Sequence, residues 1–283
     1  MQAIILNHNA GSAWKLKTRK LESAAKKKGI PIFQTSVHQD ASTLAKRLIK
    51  EGYDTLFAAG GDGTFHQVLN ATAPDFQVQL GVIPLGTCND FAQSNGLDIK
   101  KAIDALGSSK TKDVDVLKTG DIYGAVAVAG GLIGKLAGDS IDPRLKKSLG
   151  PLAYAQQAAR SIPRLQTYDM IIEADGETIA VSATNIAAIV SRHAGCGLYK
   201  GEIPSGRLRL VAVRTPPLSK LPEFVQLLWS RDIENSELVL NRCIRKAKIS
   251  SEPEMEYMID GEKLSTGAVD AEAVPQKIKL VVV

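Results

Sequence analysis

Between an apolar run at residues 55–59 and an amphipathic stretch carrying Val68 and Leu69 lies Gly60-Gly61-Asp62-Gly63-Thr64. A buried strand that ends in a glycine turn and runs straight into a helix is half of a βαβ unit. The same rhythm fills the first hundred residues. Residues 3–6 read as a buried strand. Residues 15–28 form a basic helical stretch that stops at Gly29, and residues 30–35 read as a second strand. Asp40 and Ser42 offer capping oxygens to a helix through Glu51, with Leu44, Ala45, Leu48 and Ile49 on one face. Gly52 ends it, and residues 80–83 form another apolar strand. Short, wholly apolar strands alternating with helices predict a parallel sheet covered on both faces.

Past residue 113 the rhythm changes. Residues 114–116, 125–129, 170–174, 179–181, 186–190, 208–213, 238–240, 255–259 and 278–283 read as strands. Only two helical stretches interrupt them, at 151–161 and 221–230, the latter with Pro222 in its first turn. Many strands and few helices predict a mainly antiparallel β domain. The expected division is an α/β domain at 1–116 and a β-rich domain at 117–283.

Composition narrows the class. The chain has 283 residues, 35 basic and 30 acidic, for a net charge of +5. That balance favours an anionic partner. With 5% aromatics the chain is poor in base-stacking platforms, so nucleic acid is not expected as a partner. The three cysteines, Cys88, Cys196 and Cys243, include no C-x-x-C pair and give no zinc-binding pattern. The first residues lack a basic n-region, and the most apolar later run, 125–134, is too short to span a bilayer. The expected location is cytoplasmic, with any membrane contact peripheral.

Glycines let a backbone approach a ligand closely, and a helix start presents amides without intrahelical acceptors. Gly60 to Thr64 therefore makes an anion site suited to phosphate. Asp62 adds a carboxylate where phosphate would repel it, which makes sense if Mg²⁺ or its water shell lies between them. The plainer alternative is a tight turn capped by Thr64. A second polar turn follows the next strand, Pro84-Leu85-Gly86-Thr87-Cys88-Asn89-Asp90, and a third follows the first strand, Asn7-His8-Asn9-Ala10-Gly11-Ser12. All three fall at carboxyl ends of strands, the edge where open α/β sheets bind ligands. Neither a Walker A loop nor a G-x-G-x-x-G fingerprint occurs.

These turns resemble the diacylglycerol kinase catalytic-domain family, bacterial lipid kinases related to sphingosine and ceramide kinases. Residues 60–64 match its G-G-D-G-T, and residues 84–92 its P-x-G-T-x-N-D-[FL]-A. Asn7 to Gly11 is similar to its N-P-x-[SA]-G turn, with His8 in place of proline. Asp113-Val114-Asp115 is similar to the strand that follows the nucleotide half, residues 149–154 to a helix-opening stretch, and Ile259-Asp260-Gly261-Glu262 to a late D-G-E. The resemblance covers nearly the whole chain.

The resemblance implies an NAD-kinase-like, Rossmann-like α/β domain followed by a β-sandwich domain. It implies transfer of the γ-phosphate of ATP to a lipid hydroxyl, diacylglycerol or a related lipid, with Mg²⁺. By the same resemblance Asn7, His8, Asn9, Ala10, Gly11, Thr35, Gly60, Gly61, Asp62, Gly63, Thr64, Gln67, Thr87 and Asn89 line the ATP site. Asp62, Asp90 and Asp115 form a carboxylate and water network around Mg²⁺. Asp62 and Glu262 are the catalytic residues, Glu262 as the base that takes the proton of the acceptor alcohol. Read without the resemblance, Asp260-Gly261 is a hairpin turn; a turn can also present a catalytic side chain.

The chain departs from the pattern in places. His66-Gln67 stands where Asn-Glu is common, and His66 is expected to be solvated or capping. Ser205 stands where the family carries a metal-binding aspartate, leaving Glu202, Ser205 and Arg207 as a weakened metal site. The expected partner is a lipid at a membrane surface. Basic clusters at Lys15/Lys17/Arg19/Lys20, Lys26/Lys27/Lys28, Arg144/Lys146/Lys147 and Arg242/Arg245/Lys246/Lys248 could meet an anionic leaflet, or could form ordinary solvated faces. A homodimer is compatible with all of this. Two alternatives stand beside the lipid kinase: an NAD kinase, which shares G-G-D-G-T, and a nucleotide- and lipid-binding protein with impaired catalysis.

Overall fold

The computed structural model describes residues 1–7, 14–36, 39–131, 166–215 and 236–283. The helices expected at 151–161 and 221–230, the stretch 149–154 and the basic cluster Arg144/Lys146/Lys147 lie outside the described residues. The chain forms two compact units, one of Met1–Val116 with Pro275–Val283 and the other of Leu117–Val274.

The first unit alternates strands and helices: β1 (Gln2–Leu6), α1 (Trp14–Lys28), β2 (Ile32–Gln34), α2 (Ala41–Lys50), β3 (Thr55–Gly60), α3 (Asp62–Thr72), β4 (Gln79–Pro84), α4 (Asp90–Ser94), α5 (Ile99–Asp104) and the start of β5 (Thr111–Thr119). β1 pairs in parallel with β2 and β3, and β3 with β4. All six residues of β3 are buried, which requires cover on both faces of the sheet. On one face Leu21 and Ala25 of α1 pack with Ala102, Ala105 and Leu106, above Ile4, Leu6, Phe57 and Ile83. α2 begins where expected: Asp40 caps it, its Oδ1 accepting from the Thr43 amide at 2.8 Å. That amide, with the Thr43 hydroxyl, holds the Asp40 carboxyl below its usual range.

The second unit is built from antiparallel pairs. Its elements are β6 (Ile122–Gly124), β7 (Ala127–Gly131), β8 (Tyr168–Ala174), β9 (Glu177–Ile189), β10 (His193–Ala194), β11 (Tyr199–Lys200), β12 (Leu208–Arg214), β13 (Val239–Ile244), β14 (Lys246–Glu252), β15 (Glu256–Ile259), β16 (Glu262–Thr266) and the first part of β17 (Val269–Val281). β9 merges the two strands expected at 179–181 and 186–190. One of its edges pairs with β8 up to Ala183 and with β7 from Asn185 onward, while β12 runs along the other. The hand-over point needs glycine. Gly131 has φ +79°, and a Cβ there would lie 2.4 Å from the carbonyl oxygen of Thr184. Inward-facing Tyr168, Met170, Ile172, Leu208, Leu210, Ile249, Tyr257 and Ile259 form this unit's core.

Two expectations change. β14 was hidden inside a basic stretch, because only Ala247 and Ile249 mark its buried face among lysines and serines. And the second domain does not run to 283. Residues 275–283 belong to the first unit, where Leu280 pairs in parallel with Leu80 and the Val282 amide donates to the Lys110 carbonyl at 2.9 Å. Among the described residues no helix is long and apolar enough to cross a membrane.

Candidate functional site

The carboxyl edge of the first unit's sheet gathers the expected turns. Asn7, just past β1, donates its own amide to the Ala59 carbonyl at 2.9 Å and its side-chain Nδ2 to Thr64 Oγ1 at 3.0 Å. Thr35, just past β2, donates its amide to the Leu6 carbonyl at 2.9 Å. The first and third expected loops thus meet at the head of α3. His8, Asn9, Ala10 and Gly11 lie outside the described residues.

Gly60-Gly61-Asp62-Gly63-Thr64 leaves β3 and enters α3 with Gly61 as N-cap residue. Each glycine has its own reason. A Cβ on Gly60 would lie 2.3 Å from Thr64 Oγ1, whereas one on Gly63 would meet nothing within 4 Å among the described residues. The first amides of a helix have no intrahelical acceptor and sit at the positive end of its dipole. Among the described residues, the side of the α3 head where an anion would be stabilised is thus left clear at Gly63.

Gly86 packs directly on this turn: a Cβ there would fall 2.4 Å from Gly61 Cα. The Gly60 carbonyl accepts from the amides of Leu85 at 2.8 Å and Gly86 at 3.1 Å. Asn89 holds the second turn shut. It sits in the left-handed region at φ 51°, its Oδ1 accepts from the Gly86 amide at 2.9 Å, and its Nδ2 donates to the Gly86 carbonyl at 2.9 Å. Thr87 lies half-buried inside this turn. Asp62, the first residue of α3, accepts the Asp90 amide on Oδ2 at 3.0 Å and the Phe91 amide on Oδ1 at 3.1 Å. It is thus the missing cap of α4. Phe65 and Phe91 stack beneath, with centroids 4.1 Å apart.

One expectation about a side chain changes here, that for His66, and Gln67 and Asp115 acquire partners within the protein. Gln67 faces α2, where its Oε1 accepts the Ala41 amide at 3.2 Å. That contact ties two helices together. His66 is buried, not solvated, beside Asn70 one turn on, because its position in α3 faces inward. Asp115 accepts the Gln276 amide on Oδ1 at 2.8 Å, anchoring the returning end of β17. Among the described residues no three acidic, histidine or cysteine side chains are grouped as metal ligands. Magnesium bound with a nucleotide takes one or two carboxylates, the rest being phosphate and water oxygens. Asp62 and Asp90, joined at the head of α4, fit that smaller donor set.

In the second unit the structure places Glu262 at the start of β16, exposed. It is presented by a two-residue hairpin. Ile259 pairs with Glu262 across Asp260 and Gly261, both with φ > 0, at 49° and 93°. This is the type I′ turn that Asp-Gly favours. The Asp260 carboxylate accepts three successive amides, from Ala125 at 2.6 Å, Val126 at 2.9 Å and Ala127 at 3.0 Å. Sequence reasoning saw the turn and missed this anchor. It also missed the twin: Asp175-Gly176 makes the same turn between β8 and β9, and Asp175 accepts the amides of Arg245 and Lys246. The Asp-Gly pair was the available signal in both cases.

Glu202, Ser205 and Arg207 do not fit a cation. The Glu202 carboxylate faces Arg192 at 3.0 Å, and Arg207 faces Asp175 at 3.2 Å. The acidic side chain is spent on an arginine, and the third position is itself a cation.

Comparison with known proteins agrees with this architecture. The diacylglycerol kinase catalytic domain model matches residues 2–119, and the YegS C-terminal NAD kinase beta sandwich-like domain model matches residues 136–282. A diacylglycerol kinase of Staphylococcus haemolyticus is 30% identical over 237 residues, covering 81% of this chain and 71% of its own. One from Bacillus subtilis is 28% identical over 243 residues, covering 81% and 80%. A Bacillus anthracis crystal structure matches with TM-score 0.82 at 21% identity, covering all of this chain and 95% of its own. At that identity the likeness speaks to the fold.

Proposed function

Because the chain belongs to the diacylglycerol kinase catalytic domain family, and so to the lipid kinases, we propose that it transfers the γ-phosphate of ATP to the hydroxyl of diacylglycerol or a closely related lipid. The observation that carries the nucleotide half is the meeting of Asn7, the Gly60–Thr64 turn and the 84–91 turn at one sheet edge, with Gly63 left clear among the described residues. Backbone amides at the head of α3 would hold the phosphates, and Thr64 and Asn7 would flank them. Asp62 and Asp90 are the residues that would hold Mg²⁺, whose chemistry is to neutralise charge on the triphosphate as the bond to the leaving group breaks.

Glu262 takes the acceptor proton. A lipid alcohol is a weak nucleophile at neutral pH, and a positioned carboxylate lowers the barrier as the bond to phosphorus forms. The exposed position at the start of β16, fixed by the anchored Asp260 turn, suits that role. Positioning and charge neutralisation supply most of the remaining rate. The acceptor is met at a membrane surface, reached peripherally by a chain located in the cytoplasm.

The test is transfer of labelled phosphate from ATP to diacylglycerol in mixed micelles, with ceramide, a long-chain base and NAD as parallel acceptors. A labelled phosphatidic acid is the expected product. Glu262→Gln should lower its rate by about 10²–10⁴ with an unchanged melting temperature. A labelled dinucleotide would replace this reading with an NAD kinase. Bound ATP without any product would replace it with a binding protein of impaired catalysis.

A further inference from the structure

In the first glycine turn the Thr64 and Phe65 amides go to the Gly61 carbonyl at 3.0 and 3.2 Å. In the second turn the Leu85 amide goes to the Gly60 carbonyl, the Gly86 amide is shared between the Gly60 carbonyl and Asn89 Oδ1, and the Asp90 and Phe91 amides both go to Asp62. α4 has only five residues, and its first turn is already capped. Four amides of this turn are thereby committed within the protein. What it does offer is a surface: Gly86 lies against Gly61, closer than any side chain would permit.

We propose that the 84–91 turn is a buttress for the triphosphate-binding turn, and that Asn89 is a positioning residue that does not touch the nucleotide. This rests on the ATP reading above. Asn89 can hold the left-handed conformation at φ 51° that most side chains disfavour. Its amide group closes the turn from both sides, on the N–H and the carbonyl of Gly86. That fixes Gly86 against Gly61 and so sets where the Gly61–Thr64 backbone stands. Asp62 closes the same arrangement from the α3 side. Relaxing Asn89 frees Gly86 to move, and the amides at the head of α3 lose their common aim.

Two readouts test this. In the first, equilibrium binding of ATP with Mg²⁺ is measured for Asn89→Ala, Gly86→Ala and the double variant. One lost turn-closing bond corresponds to roughly a tenfold change in affinity. Each single variant should bind ATP about tenfold more weakly, and the pair should be no weaker than the worse single variant, because both act through one contact. The KM for the lipid acceptor should stay at the wild-type value. Asn89→Ala binding ATP as tightly as wild type, or single effects that multiply in the double variant, would overturn the proposal; the latter would place Asn89 on the nucleotide. In the second readout, amide exchange is followed in Asn89→Gly, which keeps the backbone conformation and removes the side chain. Amides 61–65 should exchange at least about tenfold faster. Unchanged exchange sinks the buttress whether or not ATP is the ligand. Wild-type protein that binds no ATP, with exchange accelerated as expected, sinks the donor assignment and leaves the buttress standing.

Discussion

The carboxylate of Asp260 accepts the amide of Val126 at 2.9 Å across 134 positions of sequence, and the amides on either side of Val126 bind the same group. One side chain therefore sets both the start of β7 and the turn that presents Glu262. Asp260→Ala should cost about 1–3 kcal/mol, because three amides lose their acceptor in a part-buried setting. Asp260→Asn should cost less, since one carbonyl oxygen remains. Urea denaturation of the three proteins gives the order directly. A variant as stable as wild type would mean that water replaces the carboxylate at no cost.

Gly81 and Gly130 are the places where strands leave room for aromatic rings. A Cβ on Gly81 would lie 2.2 Å from Phe57 Cδ1, and one on Gly130 would lie 2.7 Å from the Tyr257 ring. Alanine at either should destabilise by about 1–3 kcal/mol through overpacking. Gly63→Ala is the contrast, with nothing beside it among the described residues and no left-handed backbone, so stability should change little. Thermal melts distinguish the sites, and equal effects at all three would refute the packing account.

Two groups give stability opposite dependences on pH. Burial works to raise the Asp175 carboxyl, but the Lys246 and Arg245 amides and the Arg207 charge outweigh it and hold the carboxyl below its usual range. A lowered folded value means stabilisation that is present above the unfolded value near 3.9 and is lost as pH falls through the folded one. Asp175→Asn should therefore be less stable than wild type at pH 7, by about 1 kcal/mol for this partly exposed group, and the gap should narrow as pH falls below the unfolded value. At the other end, burial pushes the Tyr257 phenol up to about 12. Its contribution is complete below pH 10 and is lost as pH rises towards 12, by about 2 kcal/mol. Tyr257→Phe should remove that alkaline loss. Denaturation midpoints across pH, compared pairwise, check both signs.

Peripheral membrane contact through α1 would have its own signature. Arg19, Lys20, Lys26, Lys27 and Lys28 are exposed on this helix, and Leu16 beside them is 68% exposed. Replacing Lys26, Lys27 and Lys28 by glutamine should weaken sedimentation with phosphatidylglycerol vesicles by roughly 100-fold, at about 1 kcal/mol per charge. Binding to phosphatidylcholine vesicles should not change. Equal retention on anionic vesicles would leave α1 as a solvated face.

Much of the first unit could be read directly. Residues 55–59 are apolar throughout because β3 is covered on both faces, and Asp40 announces α2 because a cap needs a short acceptor side chain at that position. β14 was harder, because Ala247 and Ile249 are too few apolar positions to reveal a period of two. The return of residues 275–283 to the first unit was invisible, since a strand carries no mark of the strand it will pair with. The same held for Gln67, whose amide suits a phosphate as well as it suits the Ala41 backbone amide.

The order of strands, the glycine turns at their ends and the Asp-Gly hairpin before Glu262 follow from local patterns, because turn chemistry and hydrophobic period act over a few residues. Which polar groups those turns still have to spend was decided only by tertiary structure. Asp62 capping α4 and Gly86 pressed on Gly61 join segments about 25 positions apart, and hydrogen bonds and close packing at that separation depend on coordinates that neighbouring residues do not encode.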